Sequence, residues 1–170
     1  MKNSNYKNIL LNMFNKAVSV SHPANIMEHY IPDTEPPGKV VVVGAGKGSA
    51  EMARSFEEPW HNRNYKELSG IVITRYGHKK ICKNIKIVEA SHPVPDVSGV
   101  EATNEIIELI KPLTKKDLLV VLISGGGSSL LVSPIDEVSL EEKKDLTNSL
   151  LTWGASISEI NSVRKHLSKV

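Results

Sequence analysis

The chain has 170 residues, 40% of them apolar and 24% charged, which is the length and composition of one globular domain and excludes a disordered chain or a small disulfide-stapled scaffold. Its 21 Lys and Arg against 19 Asp and Glu leave a net charge of +2, too balanced for a nucleic-acid-binding surface. The single cysteine, Cys82, excludes an internal disulfide and a thiolate metal cluster, and no run approaches the ~18 apolar residues of a membrane span.

In chain order, the polar start (Lys2, Asn3, Ser4, Asn5) carries no signal-peptide pattern, so a cytoplasmic protein away from membranes is expected. Ile9, Leu10, Met13, Phe14, Ala17 and Val18 then follow one face of a helix within residues 6–30. Residues 31–38, with Pro32, Pro36, Pro37 and Gly38, break that helix and read as a linker. An N-terminal helix and linker (1–38) therefore precede an α/β domain (39–170). Four apolar runs follow, at 40–43, 70–74, 85–90 and 118–123. The first, second and fourth do not alternate, so they are expected to be parallel strands buried on both faces. The connection between the second and third is too short for a crossover helix, which predicts a hairpin or an edge strand there. Helical patterns occupy 47–60, 98–111, 139–151 and 158–170. Ser98 with Glu101 and Ser139 with Glu142 have the spacing of a capping box.

The unusual residues all fall at the carboxyl ends of the strand candidates, where open parallel sheets form their ligand crevice. The first run ends in Gly44, Ala45, Gly46, Lys47, Gly48 and Ser49. Glycines let backbone approach a ligand, and free helix N–H groups favour an anion. The loop is not a Walker A motif, since position 41 is Val and position 48 is Gly. Nor is it a strict dinucleotide fingerprint: the third glycine would fall at Ser49, and the next strand ends in Thr74 and Arg75 where a ribose-binding acid belongs. The fourth run ends in Ser124, Gly125, Gly126, Gly127, Ser128 and Ser129, a candidate backbone nest for a phosphate or carboxylate. The third ends in Ser91, His92, Pro93, Val94, Pro95 and Asp96, stiffened by two prolines. There His92 and Asp96 either position a substrate or, for Asp96, cap the next helix. Arg75 and His78 frame the crevice weakly. His22, His29 and Cys82 read as structural, and Arg164, Lys165 and His166 as a solvated charge cluster on the last helix. These residues alone leave open an enzyme acting on small anions and a binding domain with the same sheet and no chemistry.

Four strings in order, 42–47 (Val-Val-Gly-Ala-Gly-Lys), 89–96 (Glu-Ala-Ser-His-Pro-Val-Pro-Asp), 123–129 (Ile-Ser-Gly-Gly-Gly-Ser-Ser) and 160–168 (Ile-Asn-Ser-Val-Arg-Lys-His-Leu-Ser), resemble the class II glycerate 2-kinases, a family sometimes named hydroxypyruvate reductases. The resemblance runs from about residue 4 to 170. It implies a Rossmann-like, three-layer α/β domain with a largely parallel sheet. It also implies ATP-dependent phosphorylation of D-glycerate to 2-phosphoglycerate, with ATP and Mg²⁺ as cofactors and a cleft between two domains. Lys47 matches the family's catalytic lysine. Gly44, Gly46 and Gly48, His92 and Asp96, and Ser124, Gly125, Gly126, Gly127 and Ser128 match cleft-lining loops, with no metal ligand among them. Gly48, Ser49 and Ser129 depart mildly from the family pattern. The larger departure is length: the family's second domain, with a catalytic arginine, lies beyond these residues. A separately encoded partner chain, a split or decaying gene, or a shortened chain would each account for that. The resemblance therefore implies that the chain is inactive alone, with an NAD(P)H-dependent hydroxypyruvate reductase or a non-catalytic remnant as the alternatives.

Overall fold

Each apolar run becomes a strand of one parallel sheet in the computed structural model, which describes residues 2–170, with side chains from residue 5 onward. The strands are β1 (Val40–Ala45), β2 (Ser69–Arg75), β3 (Ile85–Ala90) and β4 (Leu118–Ile123), in the spatial order β3-β2-β1-β4. Every neighbouring pair is parallel. The helices are α1 (Lys2–Ser21), α2 (Pro23–Ile26), a 3₁₀ turn (Met27–Tyr30), α3 (Ser49–Asn62), α4 (Val97–Ile110), α5 (Gly127–Leu130), α6 (Leu140–Thr152) and α7 (Ile157–His166).

Side chains alternate across a strand, so each residue of β1 faces one of two cores. Val40 and Val42, with Val72 and Leu122, pack on Ala50, Ala53, Phe56 and Trp60 of α3. Val41 and Val43, with Ile71 and Ile73, pack on Ala102 and Ile106 of α4. The result is the expected three-layer α/β arrangement. Trp60 is fully buried between Phe56 and Tyr65, its indole N–H donating to the Lys66 carbonyl at 2.9 Å. Met27 and Ile31 of the N-terminal segment join this same core.

Several expectations are corrected. The helix expected over 6–30 stops at Ser21, where His22 caps the next turn by accepting from Ala24 N–H. Of the two alternatives for β2 and β3, the hairpin is overturned, because they are parallel, and the edge strand holds, in β3. Residues 76–84 make the return without a helix, because extended chain at ~3.3 Å per residue is long enough to retrace a six-residue strand. The return is fastened to α3. Buried Glu57 accepts from the N–H groups of Lys83 (2.5 Å), Asn84 (2.6 Å) and Ile85 (3.1 Å), and Lys80 pairs with Glu51 at 3.4 Å. β4 is not buried on both faces. It is the other edge, and Leu119, Val121 and Ile123, on the same side of the sheet as Val41, Val43 and α4, are left exposed. Ser98 does not cap α4; Asp96 does, accepting from Gly99 N–H at 3.1 Å. The capping box of Ser139 and Glu142 is present at the start of α6.

Candidate active site

The parallel sheet delivers the ends of β1, β2, β3 and β4 to one edge, and the loops of β1 and β4 are stitched together there. Gly46 has φ +143°, and a Cβ on it would stand 2.1 Å from Ser124 Oγ, so the close approach requires glycine. Ser124 Oγ accepts from Gly48 N–H at 2.9 Å and lies 3.2 Å from Ser49 Oγ, while Lys47 N–H donates to the Gly125 carbonyl at 2.9 Å. Ser49 is buried and donates to the Leu122 carbonyl at 3.1 Å. Ser124 and Ser49 are thus fasteners between loops. Gly44 lies inside β1, against the Leu122 carbonyl.

Lys47 does not begin α3 as the sequence suggests. It precedes the cap residue Gly48, so the turn, and not the helix, aims its side chain. That exposed side chain runs along the triple-glycine loop, with Cε 3.6 Å from where a Gly125 Cβ would lie and Cγ 3.4 Å from the equivalent point on Gly126. His92 approaches from β3's end. A Cβ on Gly126, whose φ is +87°, would stand 2.5 Å from His92 Nε2. Lys47 and His92 therefore converge on the backbone of residues 125–126. The N–H groups of Gly125 and Gly126 have no partner among the described residues. His92 is held below its ordinary pKa, first by burial and then by the positive charges of Lys47, Arg164 and Arg75. Asp96 is occupied elsewhere: beyond capping α4, it accepts from the Tyr76 hydroxyl at 2.8 Å. Ser129 is buried and donates to the Gly126 carbonyl at 3.1 Å, whereas Ser128 is exposed.

Beside this loop lies a cavity of about 370 Å³ between the ends of β1 and β4 and the face of α7, lined by Ser128, Asn161, Arg164 and Lys165. The solvated-cluster reading of residues 164–166 is thereby corrected for Arg164, which is half-buried and donates to the Pro93 carbonyl at 3.2 Å. A signal for this was present. Ser156 and Glu159 form a capping box that starts α7, and Arg164 stands four residues after the buried Ile160, on the same face. Among the described residues none of Lys47, Arg75, Arg164 and Lys165 forms an ion pair. No group of three or more His, Cys, Asp or Glu able to hold a metal ion occurs among them, and no helix is long and apolar enough to cross a membrane.

Glycine backbone, and cations that form no ion pair among the described residues, thus meet at the carboxyl edge of a parallel α/β sheet, where such sheets form their ligand crevice. The family model described as "Domain of unknown function (DUF4147)" matches residues 9–170, and the chain belongs to that family. The D-glycerate 2-kinase of Thermotoga maritima is 38% identical over 96% of this chain and 39% of its own length. A protein of Agrobacterium vitis named "Putative hydroxypyruvate reductase" is 46% identical over 96% of the chain and 36% of its own length. The crystal structure of the Thermotoga maritima glycerate kinase superposes with a TM-score of 0.82 at 36% identity, over 98% of this chain and 40% of that one. The chain thus spans well under half the length of these relatives.

Proposed function

We propose that this domain supplies one wall of a glycerate 2-kinase site, transferring the terminal phosphoryl group of ATP to the 2-hydroxyl of D-glycerate. The observation that carries the reading is the convergence of Lys47 and His92 on the open N–H groups of Gly125 and Gly126. Phosphoryl transfer asks a protein mainly for positioning and charge neutralisation. The glycine N–H groups hold phosphate oxygens, and the Lys47 ammonium follows the charge that develops as the bond to the leaving ADP lengthens. His92, kept neutral by burial and its cationic neighbours, offers a nitrogen to the acceptor's hydroxyl proton. Magnesium would come bound to the nucleotide phosphates, screening the charge that Lys47 and the glycine N–H groups also meet.

The test is a chimera in which this chain replaces the matched segment of the Thermotoga maritima D-glycerate 2-kinase. Formation of 2-phosphoglycerate from ATP, magnesium and D-glycerate is expected. A folded chimera that instead oxidises NADH or NADPH with hydroxypyruvate, or binds either nicotinamide saturably, would establish the reductase reading; Thr74 and Arg75 at the end of β2 argue against it.

A further inference from the structure

The cavity beside α7 has the marks of a second anion site, next to Gly125 and Gly126 and sharing Ser124 and Gly127 of their loop. Its polar wall carries Arg164 and Lys165, and neither meets a carboxylate among the described residues. A guanidinium has five N–H donors, and the half-buried Arg164 uses one on the Pro93 carbonyl. Buried Lys143 stands behind α7, its ammonium bonded to the Leu167 carbonyl at 3.1 Å. Burial first, and Arg164 second, push Lys143 below the ordinary lysine pKa; burial does the same to Arg164. Two neighbouring, partly desolvated cations without an anion are costly, and a bound anion removes that cost. Ser124 and Gly127 of the glycine loop and Ser168 and Val170 after α7 also line the cavity. Ser128 and Asn161 supply a hydroxyl and an amide, while Ala45, Ile123 and Leu131 form an apolar floor. A volume of about 370 Å³ is at the small end for ligand sites, fitting an organic molecule of a few carbons.

We infer that this cavity seats the carboxylate of the phosphoryl acceptor, gripped by the Arg164 fork and Lys165, with the acceptor's carbon skeleton against Ala45, Ile123 and Leu131. The identity of the acceptor rests on the kinase reading above; the anion site does not. A planar guanidinium matches a carboxylate with two parallel N–H bonds, and an apolar floor suits a carbon chain better than a phosphate tail. The single turn α5 separates the two anion sites. Gly125 and Gly126, just before α5, lie against Lys47 and His92, whereas Gly127 and Ser128 of α5 line the cavity. Donor phosphates on one side and acceptor carboxylate on the other bring the two reactants together across one rigid turn.

The experiment is a titration of the isotope-labelled 170-residue chain with D-glycerate, and separately with inorganic pyrophosphate, followed by the amide signals of Ser128 and the side-chain signals of Asn161 and Arg164. D-glycerate is expected to shift these signals saturably. Arg164→Gln is expected to weaken that binding roughly tenfold or more, the usual effect of losing a charge-assisted pair. Because Arg164 is half-buried, its melting temperature is measured alongside. If that variant is unfolded, the exposed Lys165→Gln decides, with an expected loss of roughly threefold to tenfold. The inference is overturned if D-glycerate moves none of these signals, if only pyrophosphate does, or if folded variants bind D-glycerate as tightly as the parent. Failure of the kinase reading looks different: the chimera transfers no phosphoryl group while D-glycerate still binds in an Arg164-dependent way.

Discussion

Lys47 and His92 make separable demands on the same two glycines. Lys47 is exposed and flexible, so removing it leaves the fold nearly intact, as a surface substitution within roughly 0.5 kcal/mol does. If its ammonium tracks the transferring charge, Lys47→Ala in the Thermotoga chimera lowers kcat by ~10²–10³ and changes KM for D-glycerate little. Steady-state kinetics on a variant with an unchanged melting temperature read this directly; near-normal kcat would remove Lys47 from the chemistry. His92 makes a prediction about pH. Its folded pKa lies below its ordinary 6.5, with burial the largest cause and Lys47, Arg164 and Arg75 following. Between the folded value and 6.5 the unfolded chain holds more protons, so stability rises with pH in that window. The contribution is fully present above 6.5 and is lost as the pH falls through 6.5 toward the folded value. Urea midpoints of the parent and of His92→Gln should therefore converge on acidification, the parent losing more. Removing Lys47 should raise the His92 titration midpoint only in part, because burial remains.

At the scale of elements, Glu57 carries the unusual step of this topology. One buried carboxylate on α3 collects three successive N–H groups where the helix-free return enters β3. Glu57→Ala strands those donors, and leaving a buried donor without its partner costs about 1–3 kcal/mol. Glu57→Gln keeps one acceptor oxygen and should cost less. A lowered denaturant midpoint with an unchanged slope, ranked Ala below Gln below parent, checks this. The same example shows where sequence reading stops. The four strands and the α3 and α4 faces were legible because unbroken apolar runs and 3.6-residue spacing are local signals. Glu57 gave no such signal, because its partners lie 26 to 28 residues away in the chain. β4 misled for a related reason: Leu119, Val121 and Ile123 are as apolar as a buried strand, but exposure depends on which element covers them. Gly125, Gly126 and Lys47 stood out as glycine and charge at a strand end. For Arg164 the sequence offers only the helical spacing from Ile160 within α7; that it lines the cavity comes from how α7 packs beside the ends of β1 and β4. Asp96 reads as helix cap or as site residue in the sequence, and its carboxylate accepts from Gly99 N–H and the Tyr76 hydroxyl, the first of which is the cap.

At the scale of the molecule, the exposed face of β4 runs up to the proposed chemistry at Ile123. Leu119, Val121 and Ile123 are 39%, 54% and 55% exposed, and Ile123 also lines the cavity next to the glycine loop. The relatives devote about three fifths of their length to residues with no counterpart here, since the chain covers 39% of one and 36% of another. The resemblance places a catalytic arginine in that remainder. Magnitudes then decide what this chain does by itself. Kinases commonly turn over at ~1–100 s⁻¹, and a cation supplied from outside the phosphate loop is worth ~10³–10⁵ in rate for related phosphoryl transfers. With Lys47 present and that second charge missing, the ceiling falls below ~0.1 s⁻¹. The chain alone, given ATP, magnesium and D-glycerate in a coupled assay, is therefore expected to show no kinase-like turnover while still binding D-glycerate at Arg164. Adding the unmatched remainder of the Thermotoga protein as a separate polypeptide should restore turnover if the two parts associate, and the covalent chimera should do so without that requirement. Turnover by the chain alone at an ordinary kinase rate would show that Lys47, His92 and the glycine loop suffice, and would overturn the assignment of this domain to a single wall of the site.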